Sequence, residues 1–138
     1  EVARANAERH GVLDRLELHA GACLAPLERH PDRGRLDAVL SNPPYILEDD
    51  PTVEQGVRDH EPHTALFVEG GDPLVIALRI ATEALEILAP GGLLAFEVGL
   101  GSAEEAQRRL VALGYEHVTS APDLAGIERV VSGRRPTR

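Results

Sequence analysis

Leu93 to Val98 reads Leu-Leu-Ala-Phe-Glu-Val, nearly continuous in apolar residues, directly after Pro90-Gly91-Gly92. A strand of that composition belongs in a parallel sheet covered on both faces, since a strand with one wet face alternates apolar and polar residues. Leu36 to Ser41 is another strand run, shortened by Asp37, and Leu16 to His19 a further one. Helical patterns alternate with these runs, as an α/β sheet requires. The first holds Val2, Ala3, Ala5 and Ala7 and stops at Gly11, which suits the left-handed position past a helix end. A longer helix takes Asp72 as N-cap and Pro73 as its first residue and runs to about Leu88; its apolar residues, Leu74, Ile76, Ile80 and Leu85 among them, suit packing across a sheet. After a tight turn at Gly99-Leu100-Gly101, a capping box from Ser102 to Glu105 opens a helix that ends near Gly114. Position 104 is Glu, so no G-x-G-x-x-G nucleotide loop is formed. Tyr115 to Ser120 and Glu128 to Ser132 read as strands joined by a short loop that permits antiparallel pairing, with Asp123 and Arg129 as polar anchors of the hairpin.

Asn42-Pro43-Pro44-Tyr45 stands where the strand Leu36 to Ser41 ends and a catalytic loop would begin. Asn and Pro are also ordinary turn residues, so the tetrapeptide alone is consistent with a plain strand-to-loop turn. Its chemistry points further. An amide or exocyclic amino nitrogen has its lone pair delocalised into a π-system, and attacks a sulfonium methyl only when its N–H groups are held and the lone pair is aimed. The side-chain carbonyl of Asn42 offers one acceptor and the backbone carbonyl of Pro43 a second, from a residue with a fixed φ and no competing donor. Tyr45 offers a flat face for a planar group. Positioning and desolvation then supply most of the acceleration, and the proton leaves afterwards to water.

With these residues the chain resembles the release-factor glutamine methyltransferases of the HemK/PrmC type, within the class I S-adenosylmethionine-dependent methyltransferases. The similarity runs through Ala3-Arg4-Ala5-Asn6-Ala7, Ser41 to Ile46, Gln55-Gly56, Glu61-Pro62, Thr64-Ala65-Leu66, Gly70-Gly71-Asp72, Pro90-Gly91-Gly92, Glu97-Val98-Gly99 and Asp123 to Val131. Asn-Pro-Pro-Tyr alone also occurs in nucleic-acid amino-group methyltransferases; the Glu-Pro segment and the Asp-Leu-Ala-Gly ending favour the protein-glutamine branch. The resemblance implies that Asn42, Pro43, Pro44 and Tyr45 hold the side-chain amide of the glutamine in a Gly-Gly-Gln tripeptide of a peptide chain release factor, and that Glu61 anchors a lid or orients that peptide. It also implies S-adenosyl-L-methionine as methyl donor, near Asn42 and with Cys23 bordering the adenine pocket, and N5-methylglutamine as product. The implied fold is a Rossmann-like class I methyltransferase sheet with an antiparallel last strand. Residues 1–138 would be a partial catalytic domain, with the first two strands, the glycine-rich cofactor loop and a helical domain upstream of Glu1. Such a piece would leave an inner strand edge unpaired and be poorly stable alone. Three positions depart from the family pattern: Ala22 in place of an acidic residue, His60 in place of an aromatic one, and Ser102 in place of Gln.

Charge and composition bear on the partner. The formal net charge is −9, which disfavours nucleic acid, whose phosphates draw basic surfaces. All 14 basic residues are Arg, and Arg134-Arg135 with Arg138 reads as a solvated tail. Cys23 is the one cysteine, so no intrachain disulfide forms, and by its general habits it is a small buried apolar residue. The histidines show no HExxH arrangement, and His60 with His63 reads as a loop pair, so no metal is expected. No apolar stretch reaches membrane-spanning length, and a cytoplasmic enzyme fits best. Ile46 to Gly71 is polar and irregular and reads as a substrate lid. The readings left open beside glutamine methylation are methylation of a nucleic-acid amino group, using Asn42 and Tyr45 on a flipped base, and a truncated module without cofactor chemistry.

Overall fold

The strand expected at Leu36–Ser41 forms over those residues as β1, and pairs in parallel with β4, Leu88–Glu97. In the computed structural model, which describes residues 1–51, 53 and 55–137, β4 is the centre of the molecule. Its other neighbour is β6, Glu128–Arg134, which runs antiparallel to it and to β5, Glu116–Pro122. The sheet order is therefore β1-β4-β6-β5, with the last strand of the chain reversed between two others. The chain enters through α1, Val2–Arg9, past which Gly11 adopts φ 62.

Register explains where the core sits. Leu94 and Phe96 of β4 are buried together with their partners Val39 on β1 and Val131 on β6, and so is Val98 just past the strand. Against this face pack α4, Val75–Ile87, through Ala77, Ile80, Ala81 and Ala84, and α5, Ala103–Ala112, through Ala106 and Leu110. Alanine at these contacts lets the helix backbones lie close to the sheet. The alternate residues look the other way. Leu93, Ala95 and Glu97 are half-buried, and their neighbours Leu40 and Val130 are 72% and 40% exposed. The run Leu93 to Val98 is thus covered on one face among the described residues, not on both as its composition predicts.

Other expectations are corrected by long-range contacts. Leu16 is extended, but Leu16 to His19 forms no strand, since it pairs with no other strand among the described residues. Asp72 does not cap α4 directly. Its Oδ1 accepts from the Leu74 N–H at 3.0 Å, closing a turn that precedes the helix, while Oδ2 meets Arg109 of α5 at 2.6 Å. Ser102 makes no side-chain cap bond, and Glu105 pairs with Arg108 and Arg109 while the Ser102 N–H donates to the Gly99 carbonyl, so no capping box forms. The lid region is not structureless: α2, Gln55–His60, and α3, His63–Leu66, precede β3, Phe67–Val68, which pairs with β2, Ile46–Leu47. Phe67 and Val68 are buried. Nor are Arg134 and Arg135 a loose tail: they donate to the carbonyls of Gly91 and Leu88, while Arg138 lies outside the described residues. Those carbonyls flank a bulge in β4. Partners step from Leu36↔Leu88 to Ala38↔Leu93, and a Cβ on Gly92 would lie 2.8 Å from the Ala89 carbonyl oxygen, so only glycine fits.

Candidate active site

At Ser41 the chain leaves the sheet, with Ser41 still paired to Phe96. Asn42 is exposed, Pro43 buried, and Pro44 and Tyr45 half-buried. Among the described residues no hydrogen bond uses the Asn42 side chain or the Pro43 carbonyl. Two acceptors are therefore open at the carboxyl end of a parallel strand, where open α/β sheets place their ligands. Buried Pro43 gives the loop a fixed footing, and two consecutive prolines restrict the backbone that carries Asn42 and Tyr45.

Tyr45 is held from outside the loop. Its hydroxyl donates to Glu97 Oε1 at 3.0 Å, and a Cβ on Gly99 would lie 3.2 Å from the Tyr45 ring. Burial raises the phenol pKa above its ordinary value, and the Glu97 hydrogen bond and charge raise it further against the opposing charge of Arg129. The hydroxyl is accordingly a donor at neutral pH. Arg129 itself donates to the Val98 carbonyl at 3.4 Å and pairs with Asp123 at 3.5 Å. Asp123 also accepts from the N–H groups of Ala125 and Ile127, which hold its carboxyl below the usual range. The hairpin-anchor reading of Asp123 and Arg129 matches this geometry, and Arg129 additionally faces Tyr45.

Besides a cleft of about 340 Å³ that Asn42 shares with Ser41, Ala95, Glu97 and Val130, two clefts flank the tetrapeptide. One, of about 350 Å³, runs past Asn42, Pro43, Pro44, Val39, Ile80 and Cys23. The other, of about 470 Å³, lies beyond Tyr45 and includes Leu47, Asp50, Pro73, Leu100 and Arg129. Cys23 is half-buried rather than buried, and sits at φ 50 in the left-handed region. Its loop is fastened by the Leu24 N–H, which donates to Glu83 Oε2 on α4 at 2.7 Å, so the thiol and Asn42 share one cleft. Glu61 is not brought to them. It is exposed at the bend between α2 and α3, lines neither cleft, and has no hydrogen bond or ion pair among the described residues. A separate cleft of about 450 Å³, between Leu24, Glu28, Arg33 and Glu86, carries none of the candidate residues.

His60 and His63 also lie apart: His60 Nδ1 is bonded to the Gly56 carbonyl at 2.9 Å and His63 Nε2 is 3.4 Å from Glu48. A different group, Glu17, His19 and His30, does converge. Its contacts describe a hydrogen-bonded knot. The Asp32 N–H donates to His30 Nδ1 at 3.2 Å, which leaves the ring proton on Nε2, and that proton faces Glu17 Oε2 at 3.3 Å. His19 Nε2 meets the other Glu17 oxygen at 2.9 Å. A neutral His30 in this tautomer has no lone pair to offer a cation beside Glu17.

Sequence reasoning assigned no role to Glu97, Glu83 or the Tyr45-facing side of Arg129. Only Glu97 carries a local signal, as a lone carboxylate inside an apolar strand run.

No family model matches the chain. Curated relatives do. It is 41% identical over 140 residues to a release factor glutamine methyltransferase of Bradyrhizobium diazoefficiens, covering 98% of this chain and 44% of that protein. The protein of the same name from Geobacter sulfurreducens is 40% identical over 96% of this chain and 45% of its own length. That of Clostridium acetobutylicum is 37% identical over 94% and 45%. Among solved structures, a chain from Thermus thermophilus described as a DNA modification methylase superposes with TM-score 0.55 at 21% identity, over 87% of this chain and 54% of that one. At that identity the superposition speaks for the fold, a Rossmann-like methyltransferase sheet. By sequence, the chain is similar over nearly its whole length to release factor glutamine methyltransferases and spans about half the length of the relatives it matches.

Proposed function

We propose that this chain is the acceptor-binding part of a catalytic domain that methylates the N5 amide nitrogen of the glutamine in the Gly-Gly-Gln tripeptide of a peptide chain release factor. The observation that carries the reading is the pair of open acceptors, the Asn42 side chain and the Pro43 carbonyl, at the end of β1 beside a restrained Tyr45. The two N–H groups of a primary amide fit two fixed acceptors, and holding both leaves the nitrogen lone pair to point at a single direction. Pro44 and the Tyr45 ring wall the amide plane. Glu61 lies on a segment that would approach the peptide from outside the cleft.

The donor fits the cleft on the other side of Asn42. Its lining combines apolar Val39, Ile76 and Ile80 with half-buried Cys23 and the polar Ser41 and Asn42, a setting suited to a flat heterocycle joined to a polar chain. When bound there, S-adenosyl-L-methionine supplies the methyl group. Ala22 offers no carboxylate to the adenine, and the acidic residue that holds the ribose would lie, with the glycine-rich loop, in a longer polypeptide of which residues 1–138 are a partial domain. Among the described residues no helix is long and apolar enough to cross a membrane, which agrees with action on a translation factor in the cytoplasm.

The formal charge of −9 weighs against a nucleic-acid acceptor. The test is transfer of a labelled methyl group by the full-length polypeptide to a release factor, to its Gln→Ala variant in Gly-Gly-Gln, and to DNA or RNA. Label on the unmodified release factor alone is the expected result. Label on nucleic acid would replace the reading with a base methyltransferase, and no transfer would leave a non-catalytic module.

A further inference from the structure

A half-buried carboxylate at the end of a strand otherwise built of Leu, Ala, Phe, Pro and Gly costs desolvation unless something donates to it. For Glu97, among the described residues, that donor is the Tyr45 hydroxyl at 3.0 Å, joining residues 52 apart in sequence. The nearby cation is engaged elsewhere, since Arg129 points to Asp123 and the Val98 carbonyl. We propose that Glu97 is a positioning residue of the acceptor site, which acts through the Tyr45 hydroxyl to keep the ring in one orientation beside Asn42 and Pro43. The inference rests on the acceptor reading of Asn42 to Tyr45 given above.

Three features make Glu97 suited to this. Its backbone is fixed, because Glu97 pairs with Val130 of β6 and the preceding Phe96 pairs with both Ser41 of β1 and Val131 of β6. Tyr45, by contrast, lies on a loop, so the hydrogen bond transmits the rigidity of the sheet to the loop and not the reverse. The second feature is Gly99: a Cβ there would lie 3.2 Å from Cδ2 and 3.7 Å from Cε2 of Tyr45, so the ring edge rests against the chain just past β4. One restraint at the hydroxyl and one at the ring edge fix both side-chain torsions before any substrate binds, which removes an ordering cost from the reaction. Third, a carboxylate accepts strongly from a neutral phenol, so the bond outlasts competition from water at the cleft mouth.

Two measurements on the full-length polypeptide test this. The first follows Tyr45 by NMR of carbon-labelled tyrosine through an alkaline titration, assigned with Tyr45→Phe. The charged groups facing the phenol are Glu97, Arg129 and, across the cleft, Asp50. Glu97→Gln is expected to lower the Tyr45 midpoint, because it removes the carboxylate charge; an unchanged midpoint overturns the hydrogen bond. The second is a double-mutant cycle on methyl transfer to the release factor. Glu97→Ala and Tyr45→Phe are each expected to lower kcat by roughly tenfold with little change in KM for the donor. The double variant should be no worse than either, and Glu97→Gln, which keeps an acceptor oxygen in place, should recover most of the loss. Additive losses would mean that Glu97 acts independently of Tyr45 and would overturn the proposal. Absence of transfer by the unmutated polypeptide would sink the functional reading and with it the role in transfer, while the titration still decides the hydrogen bond.

Discussion

Asn42 and Gly99 show how single positions at this site separate activity from stability. The Asn42 side chain is exposed and makes no hydrogen bond among the described residues, so its truncation removes nothing that holds the fold. Asn42→Ala is expected to lower methyl transfer by a factor of order a hundred, as loss of a positioned acceptor does, with an unchanged thermal midpoint. Equal loss of both would move Asn42 from the chemistry to the fold. Gly99→Ala forces the Tyr45 ring to give by a few tenths of an ångström. Turnover should fall about tenfold through that displacement, and steady-state kinetics beside a melting curve would check that the change lies in kcat. Tyr45 itself carries a pH dependence. Its raised pKa means that the folded state holds the phenolic proton more tightly than the unfolded chain, so the stabilisation is complete below the ordinary value of 10.0 and is lost as pH rises through the folded value.

At the level of elements, the join between the α4 entry and α5 is ionic. Asp72 is pulled two ways: burial, the largest single influence, raises its pKa, and the hydrogen bond from Arg109, the Leu74 N–H and the Arg109 charge together outweigh it, so the net shift is downward. A depressed carboxylate contributes stability above its ordinary value of 3.8, and that contribution is lost as pH falls through the lower folded value. Denaturant unfolding followed below about pH 4 should therefore show a loss of stability that Arg109→Met diminishes. The β4 bulge is steric. Gly92→Ala places a methyl within 2.8 Å of a backbone oxygen that cannot rotate away, and is expected to destabilise by about 1–3 kcal/mol, read as a shift in the unfolding midpoint. Elements that escaped the sequence reading are those whose support is distant. The two-residue strands β2 and β3 have no period to detect, and exist because Ile46 meets Phe67 and Leu47 meets Val68.

Across the whole molecule, the sheet is asymmetric. One face is sealed by α4 and α5, the other carries Leu40 at 72% and Val130 at 40% exposure, and β1 has no neighbour on its outer side among the described residues. An open parallel edge beside exposed apolar side chains is a template for association. The isolated 138-residue chain is expected to self-associate in sedimentation velocity, and Leu40→Lys to reduce that association. A monodisperse monomer of the unmodified chain would refute the expectation.

Sequence alone determined what repeats or acts locally. The strand at Leu36–Ser41 and the left-handed glycine after α1 follow from periodicity and turn residues within a few positions of one another, the reversed last strand was implied by the family resemblance, and the acceptor chemistry proposed for Asn-Pro-Pro-Tyr rests on side-chain identity. Tertiary structure decided which residues meet across distance. It joined Tyr45 to Glu97, Leu24 to Glu83 and Asp72 to Arg109, brought Cys23 to the Asn42 cleft, left Glu61 outside it, and put both core helices on one face of β4. The physical reason is register. Strand pairing fixes which side chains stand opposite one another, and its effect on a residue such as Glu97 depends on partners dozens of positions away that no local pattern encodes.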